Sequence, residues 1–363
     1  MRPWTLGCGC LAALLLTAST ALADTINVPA DHDTIQAAVD AAGPGDVIVI
    51  RKGRYEEKVL LDGKSDLTLR AKGKVVIAGG PRIPGSGIEV RQGSNILIQG
   101  LRIESWASAG VLIDGSTHVT VTRCALRSFG KWAVRAVASD FVEISRCTID
   151  GTLDDGISFG VGEPDGGVDD SIVTRCRLKG CRADAIDVSG DRNEISRNVI
   201  QSAEEDGIEI DRDDRGAFNV ISRNKVGPVP GDGIYVGGDD CEISDNQVKR
   251  NESDAIVIDG TRNAVLRNKC IAPGADGVYL LVAGNSVEDN DVVKPGDDGY
   301  DTDAGGQTFT RNRATKAGSN GFEIGGSDST LTDNSAKHSG GFDLLHGGDN
   351  TLGVNAFKTI QIE

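Results

Sequence analysis

The chain is poor in several residue types that mark common classes of protein. Aromatic residues make up 4% of its 363 residues, and there are only one methionine and four histidines. Together with the missing Cys-x-x-Cys and Cys/His zinc spacings, this composition argues against copper delivery and against a structural zinc site. Basic residues are outnumbered, and the formal net charge is −16 at pH 7. Nucleic acid is therefore not the expected partner, because phosphate binding needs a basic face.

Long apolar runs are missing beyond the start of the chain. Residues 1–23 are typical of a secretory signal, with Arg2 at the charged start, an apolar run over residues 11–16 and the small-residue cleavage pattern of residues 21–23. The run is too short to span a membrane. We therefore expect an exported protein, secreted or periplasmic, with no membrane span.

An asparagine recurs every 22 residues through the second half of the chain. These ladder asparagines are Asn224, Asn246, Asn268, Asn290, Asn312 and Asn334, with Asn198 and Asn355 at slightly different steps on either side. A fixed period in this range is typical of a solenoid. Pairs such as Ile208/Ile210 and Ile234/Val236 are apolar residues two positions apart, bounded by turn residues, which predicts short half-buried strands.

The repeat predicts an all-β, single-domain solenoid of about eleven coils. At the strand spacing of a sheet, this gives a rod about 50–55 Å long. The ladder position becomes Cys176, Cys147, Cys124 and Leu101 upstream. We expect the ladder asparagines to point inward and to bond the backbone and one another. A second column five residues earlier contains Asn193, Asn219, Asn263, Asn285 and Asn350. Stacked cysteines have poor disulfide geometry, so we expect free core thiols.

Residues 31–46, DHDTIQAAVDAAGPGD, are followed by a Val-Ile-Val-Ile run and by Gly-Arg-Tyr. With the repeat, this segment resembles the right-handed parallel β-helix of the pectin-lyase-like superfamily, over nearly the whole chain after residue 23. The resemblance implies a short helix that plugs the first coil. The residues alone also predict a helix, capped by Asp33 or Thr34 and stopped at Gly43. The predicted organisation is a signal peptide at 1–23, an N-terminal strand, capping helix and first coil at 24–60, and a parallel β-helix at 61–363.

An acidic residue followed by Gly or Ala forms another column. Its seven acids are Asp155, Asp184, Asp206, Asp232, Asp254, Asp276 and Asp298. We interpret the column as turn chemistry, in which Asp bonds the backbone and Gly tolerates a left-handed conformation. Bound calcium is the alternative.

The residue directly before each ladder position is predicted to face outward. It alternates between Arg and Asp from Asp245 to Asp333, so each Arg can pair with the Asp above and below. Upstream it is always arginine, at Arg123, Arg146, Arg175, Arg197 and Arg223. Because like charges at coil spacing repel, either neighbouring carboxylates or an anionic polymer must compensate them.

Two insertions break the period and place an acidic cluster between them. They follow the apolar pairs at residues 160–170 and 211–217. Asp187, Glu209 and Asp211 lie beside them on consecutive coils, with Tyr235 at the rim as a candidate substrate contact. Two nearby carboxylates can act as acid and nucleophile on a glycosidic bond, which makes these three acids catalytic candidates. With Asp213 and Asp214 they are also candidate calcium ligands. A solvated acidic face is the bland alternative.

A second candidate surface lies near the N-terminal end. Trp106 and Phe129 share a column on adjacent coils, with Trp132 and Arg135 close by. Aromatic rings with cations suit stacking on sugars and holding carboxylates, so these four residues are candidate substrate contacts, with corner packing as the alternative. Asp301, Asp303 and Glu323 form a third, weaker acidic patch.

The resemblance implies a protein that binds or acts on a polysaccharide. We expect this polysaccharide to be anionic. Pectate lyases of this superfamily use a calcium cluster and a basic residue, and polygalacturonases use clustered aspartates with Gly-His-Gly and Arg-Ile-Lys signatures. This sequence has neither signature and lacks the uronate epimerases' Asp-Pro-His-Asp. No catalytic residue can therefore be carried over by motif. From the fold resemblance and the acidic cluster, we expect an exported protein that acts on or binds a polysaccharide, such as a calcium-assisted lyase or glycoside hydrolase on an acidic glycan, with a non-catalytic carbohydrate-binding, surface-binding or structural β-helix as the alternative. The sequence leaves the oligomeric state open.

Overall fold

The computed structural model describes residues 23–80, 83–160, 166–212 and 216–362. They form a right-handed parallel β-solenoid of about 14 turns, because the smaller of its two sheets contains 14 strands. The prediction of about eleven coils was too low. The first coils lack an asparagine or cysteine at the ladder position and have uneven lengths, so the repeat does not mark them. At the spacing of paired strands, 14 turns span about 60–65 Å. The predicted signal at 1–23 falls almost entirely outside the described residues.

One helix precedes the coils in the described part of the chain. Helix α1 (Ile35–Ala41) begins at Thr34, whose hydroxyl accepts a hydrogen bond from the Ala37 N–H, and it buries Ile35, Ala38 and Val39 in the core. This confirms the predicted helix and one of its two candidate caps. Within the described ranges, no helix is long and apolar enough to cross a membrane.

The larger sheet contains 26 parallel strands. They are β1 (Thr25–Val28), β2 (Val47–Tyr55), β4 (Ser65–Ala78), β6 (Ser94–Gln99), β7 (Arg102–Trp106), β9 (Thr117–Thr122), β10 (Ala125–Phe129), β12 (Glu143–Ser145), β13 (Thr148–Thr152), β15 (Ile172–Thr174), β16 (Arg177–Lys179), β18 (Glu194–Ser196), β19 (Val199–Ile200), β21 (Val220–Ser222), β22 (Lys225–Val226), β24 (Glu242–Ser244), β25 (Gln247–Lys249), β27 (Ala264–Leu266), β28 (Lys269–Ile271), β30 (Ser286–Glu288), β31 (Asp291–Val293), β33 (Thr308–Thr310), β34 (Arg313–Thr315), β36 (Thr330–Thr332), β37 (Ser335–Lys337) and β39 (Thr351–Leu352).

The smaller sheet takes one strand from each turn and is called face 1 below. Its strands are β3 (Val59–Asp62), β5 (Ile88–Arg91), β8 (Val111–Asp114), β11 (Val134–Val137), β14 (Ile157–Phe159), β17 (Ile186–Val188), β20 (Ile208–Ile210), β23 (Ile234–Val236), β26 (Ile256–Ile258), β29 (Val278–Leu280), β32 (Tyr300–Thr302), β35 (Phe322–Ile324), β38 (Leu344–His346) and β40 (Ile360–Ile362).

Most turns of the solenoid contribute two strands to the larger sheet, and the sheet bends between the two. The strands that pair along β6, β9 and β12 form face 2, and those that pair along β7, β10 and β13 form face 3. The ladder residue lies at the corner between faces 2 and 3, for example Asn198 between β18 and β19. Apolar residues from all three faces, including Ile208 and Ile210, point inward and form one continuous core.

The ladder asparagines behave as predicted. In one step of the stack, the Asn246 backbone N–H and side-chain amide both donate to Asn268 Oδ1, at 2.9 and 3.0 Å. The Asn268 amide donates to the Ile243 carbonyl at 2.7 Å and to the next asparagine. The second column repeats this pattern, as in the bond from the Asn263 N–H to Asn285. The six described cysteines are free and buried, as expected.

The acidic column bonds the backbone as predicted, but its glycines serve another purpose. Each Asp accepts the backbone N–H of the next member, as Asp254 does from Asp276 at 2.6 Å. Gly207, Gly233 and the other glycines after the acids do not have positive φ, so the predicted left-handed conformation is wrong. These positions contain glycine because a Cβ atom would collide with the next coil. At Gly233 it would lie 2.6 Å from the Ala255 carbonyl oxygen.

The left-handed residue is instead the one directly before the ladder. Asp245, Arg267, Asp289 and Arg311 all have φ between 54° and 58°. Arg267 pairs with Asp245 at 3.0 Å and Arg311 with Asp289 at 2.9 Å, in each case on the preceding coil. The predicted alternation of charges therefore forms ion pairs, but each arginine pairs to one side rather than to both.

Candidate functional site

Face 1 brings together the acidic residues that the repeat predicted to stack. Ser158 lies opposite Asp187, Asp187 opposite Glu209, and Glu209 opposite Tyr235 in consecutive parallel pairs. The Asp187 and Glu209 carboxylates also approach Asp211, and oxygens of the three groups lie within 4.8 Å of one another. The predicted register of this surface is therefore confirmed. We call Asp187, Glu209 and Asp211 the acidic cluster.

The acidic column of the adjoining corner packs against this cluster. Oxygens of Asp155, Asp184 and Asp187 lie within 4.8 Å of one another, and so do those of Asp184, Asp206 and Glu209. Sequence reasoning assigned the column to turn chemistry and missed this contact. The signal was the repeated spacing of three residues between the two columns, in Asp184 and Asp187 and again in Asp206 and Glu209.

Burial and mutual repulsion favour protonated carboxyl groups here. Desolvation, followed by the charges of neighbouring acids, raises the pKa of Asp155 to about 7. Desolvation and then Glu209 raise the pKa of Asp184 to about 8. Desolvation, ahead of the surrounding carboxylates, also raises the pKa of Asp187 well above its ordinary value and raises that of Glu209. At neutral pH the group therefore retains protons that exposed carboxylates would lose.

Asp187 is the most constrained member of the cluster. Its side chain is 5% exposed, and its Oδ1 atom is buried without a hydrogen-bond partner among the described residues. An unpaired buried carboxylate oxygen costs free energy unless it is protonated or meets a cation or a ligand. At Asp187 we therefore expect a protonated carboxyl group, a bound cation or a bound ligand.

A polar network that sequence analysis missed borders the acidic cluster. Asp259, 7% exposed, accepts hydrogen bonds at the same Oδ2 atom from the Tyr235 hydroxyl at 2.9 Å and from Arg212 at 2.5 Å. Desolvation, followed by the bond to Asp259, raises the pKa of Tyr235. Asp259 thus holds the half-buried tyrosine beside Glu209. This contact could not be predicted from neighbouring positions of the repeat, because 47 residues separate Arg212 from Asp259.

The predicted aromatic surface splits into two parts. Trp106 and Phe129 are opposite each other, as expected, but each is only 2% exposed and lies in the core, so neither can stack on a sugar. This corrects their assignment as substrate contacts. The preceding residues Ser105 and Ser128 have φ of 62° and 60°, and this left-handed step returns the next side chain to the interior.

Trp132 and Arg135 remain accessible and extend face 1. The Arg135 guanidinium lies 4.2 Å from the centre of the Trp132 ring, and Lys131 Nζ lies 4.8 Å from it. Arg135 is opposite Ser158 in the sheet and donates to its hydroxyl at 3.4 Å. The pair therefore lies on the column of Asp187 and Glu209, two coils before Asp187, rather than on a separate surface.

The remaining candidates have different outcomes. Asp213 and Asp214 lie outside the described residues, so their role as calcium ligands stays a prediction. Asp298, Asp301 and Glu323 bring oxygens within 4.8 Å of one another, so two members of the third patch are close together. Burial raises the pKa of Asp301 to about 7. Asp303 is exposed and outside that group.

The sheet topology defines this protein as a right-handed parallel β-helix with an acidic face. The family model described as "Right handed beta helix region" matches residues 75–218 and 184–357. The chain belongs to this family. A search of curated proteins gave no match.

Solved structures share the fold at low sequence identity. The A-module of the mannuronan C-5 epimerase AlgE4 from Azotobacter vinelandii is 16% identical over 95% of this chain and 98% of that one, with a TM-score of 0.63. The family 28 exopolygalacturonase of Yersinia enterocolitica is 11% identical over 93% and 79%, with a TM-score of 0.54. The tailspike of the E. coli bacteriophage HK620 is 12% identical over 87% and 73%, with a TM-score of 0.56.

Proposed function

We propose that this protein acts on an acidic polysaccharide and that face 1, around Asp187 and Glu209, is its active surface. The observation that carries the proposal is the buried Asp187 oxygen, which has no partner among the described residues and lies inside a group of stacked carboxyls with raised pKa values. Strongly perturbed carboxyl groups gathered on a rigid face are typical of catalytic sites. Similar folds occur in a mannuronan epimerase and an exopolygalacturonase, which supports a carbohydrate substrate.

The proposed chemistry follows from how the neighbouring Asp187 and Glu209 carboxyl groups share protons. Because adjacent carboxyl groups resist ionising together, one retains a proton while the other carries charge. The protonated group can donate to a glycosidic oxygen, and the charged one can act as base or nucleophile. Arg135 on its aromatic support would hold a sugar carboxylate, because a guanidinium binds carboxylates in a bidentate manner. Tyr235, fixed by Asp259, would contact the same substrate.

Calcium is the proposed cofactor, and its fit rests on the donor set. Asp187, Glu209 and Asp211 supply the hard oxygen ligands that calcium prefers, and the free Asp187 Oδ1 lacks any other partner among the described residues. The ion would neutralise the crowded carboxylates and attract a substrate carboxylate.

Calcium should stabilise the wild-type protein at pH 7.5. We expect a rise in melting temperature of several degrees, because a ligand that binds only the folded state stabilises it by mass action. Asp187→Asn should abolish the rise, whereas Asp349→Asn, which removes an exposed carboxylate far along the chain, should retain it. A melting temperature independent of calcium in the wild type would rule out the metal role but not acid–base catalysis.

Activity can be tested with pectate, alginate and a neutral glucan, each with and without calcium. Ultraviolet absorbance of unsaturated products reports elimination, reducing ends report hydrolysis, and proton NMR of alginate reports epimerisation. We expect activity on an acidic polymer, reduced about 100-fold or more in Asp187→Asn/Glu209→Gln and unchanged in Asp349→Asn. Equal activity in the double variant would refute the assignment of these residues.

Non-catalytic carbohydrate binding is the second candidate. It is favoured by the absence of the polygalacturonase signatures and of the epimerases' Asp-Pro-His-Asp from the sequence. Binding to an acidic glycan with no product in any of the three assays would support it. Export to the periplasm or the outside of the cell is also a proposal, carried by residues 1–23.

A further inference from the structure

Five arginines form an unbroken row along the corner between faces 2 and 3. This arginine stripe consists of Arg123, Arg146, Arg175, Arg197 and Arg223. All five are exposed, and all have φ between 55° and 57°. Each backbone N–H donates to a carbonyl of the next coil at 3.0 or 3.1 Å, so the backbone positions are fixed. One guanidinium per coil gives a row of charges about 19 Å long.

No member of the stripe forms an ion pair with any carboxylate in the described part of the chain. Further along the same column, Arg267 pairs with Asp245 and Arg311 pairs with Asp289. The same backbone position can therefore be neutralised by an aspartate on the preceding coil. In the stripe, five consecutive coils lack that aspartate, in a protein with 54 acidic and 38 basic residues. The stripe therefore has no direct carboxylate partner among the described residues, in contrast to the paired arginines further along the column.

The surroundings of the stripe favour a narrow, flexible polyanion. Two more cations, Arg177 and Lys225, are exposed at the start of the following strands and form no ion pair with any described residue. Hydroxyl groups occupy the position before each arginine, as in the bond from Ser145 to Thr122 at 2.9 Å. The positions immediately before the arginines and two residues after them contain no aromatic side chain, and single-stranded nucleic acids are usually held by stacking on aromatic rings. A wide duplex would also meet the acidic remainder of the surface.

We propose that the arginine stripe binds a linear anionic polysaccharide lengthwise, with successive guanidinium groups holding successive carboxylate or sulfate groups. Guanidinium groups bind these anions in a bidentate manner, and individually weak contacts in a row add to useful affinity. The stripe lies on a different side of the coil from face 1. This inference therefore does not rest on the proposed function, and it gives the rod a second glycan-binding site that could hold a polymer outside the active surface.

The test compares two sets of substitutions in the same column. Asn is the replacement, because it tolerates a left-handed backbone and removes the charge. Arg146→Asn/Arg175→Asn/Arg197→Asn removes the centre of the stripe. Arg267→Asn/Arg311→Asn removes two arginines that are already paired and serves as the control. Circular dichroism and melting temperature establish that each variant is folded, and Arg175→Asn alone provides a milder change. Binding is measured by titration calorimetry at low salt with polygalacturonate, heparin, neutral dextran and single-stranded DNA.

We expect the triple variant to lose affinity for an acidic glycan at least tenfold, the single variant to lose less, and the control pair to stay within twofold of wild type. Polygalacturonate and heparin distinguish carboxylate from sulfate as the preferred anion. The salt dependence of binding should weaken as arginines are removed, because fewer counterions are released. Unchanged affinity in the triple variant, no binding of either glycan, or tighter binding of DNA through the same arginines would each overturn the inference. Cleavage assays on the triple variant report on face 1 separately.

Discussion

At the scale of single residues, the acidic column serves two purposes that conflict. Its structural task is to accept a backbone N–H from the next coil, and a neutral amide does this equally well. Asn320 continues the column after Asp298 and accepts the Phe342 N–H at 2.8 Å. Burial disfavours the ionised form of the aspartates in this column, and this desolvation raises the pKa of Asp276 to about 7 and that of Asp298 to about 8. Ionising these side chains therefore costs folding free energy, although accepting a backbone N–H does not require a charge.

Asp276→Asn should stabilise the protein above pH 7. The folded pKa of Asp276 lies above its unfolded value of 3.8. The wild-type residue therefore favours folding most at low pH, and this contribution is lost as pH rises from about 4 through 7. Allowing for partial exposure, we expect a gain of about 1–2 kcal/mol at pH 8 that disappears near pH 4. Urea unfolding at both pH values measures it.

The matched control is Asp333→Asn, which changes an exposed aspartate outside this column. Its effect should remain within about 0.5 kcal/mol at either pH. A loss of stability in Asp276→Asn at pH 8 would contradict the assigned cost, unless calcium bound at this position is being lost, which a chelator titration would reveal.

At the scale of the coil, stability comes from polar groups that only the neighbouring coils can satisfy. A ladder asparagine such as Asn246 or Asn268 forms hydrogen bonds with the coils on both sides, and inward apolar residues of all three faces form the core. A single coil can satisfy neither requirement, so the coil is a structural unit without being a folding unit.

Asn268→Ala tests this dependence. The change removes the Asn268 acceptor from the Asn246 backbone N–H and from one of the two bonds of the Asn246 amide, and it removes the Asn268 donor from the Ile243 carbonyl, all in buried positions. We expect a loss of about 2–4 kcal/mol in unfolding free energy. Gln247→Ala, at a partly exposed position of the adjacent coil, should cost less than about 0.5 kcal/mol. Similar costs in both variants, measured by urea unfolding, would argue against the ladder as a stabilising element.

At the scale of the whole molecule, the two ends of the rod differ. Helix α1 packs on the first coils and buries its apolar stripe in the core. The last coils are less covered, with Val354 79% and Ile362 65% exposed, and within the described part of the chain strand β40 pairs with β38 alone. Apolar residues on an open sheet edge bring little stabilisation to the turns that carry them.

The rod should therefore open from its C-terminal end. By native-state hydrogen exchange, we expect amides of β38 and β40 to exchange at least about 100-fold faster than those of β23 and β26, because terminal turns open locally while central ones need larger unfolding. Amides of β3, next to the helix, should be protected. Equal protection at both ends would show that the final coil is covered in solution, for example by self-association, which sedimentation would detect.

The solenoid, the inward asparagine ladders and the register that stacks Asp187, Glu209 and Tyr235 were predictable from the sequence, because a strict period places residues of equal phase on one line. The capping helix was predictable from its cap residue and apolar stripe. Other features depend on contacts that the period does not encode. Left-handed steps at Ser105 and Ser128 turned two aromatic rings into the core, and the bend between columns brought Asp184 onto the acidic cluster. The long side chains of Tyr235 and Arg212 reach Asp259 on another coil, since contacts across coils depend on side-chain direction and packing rather than on phase.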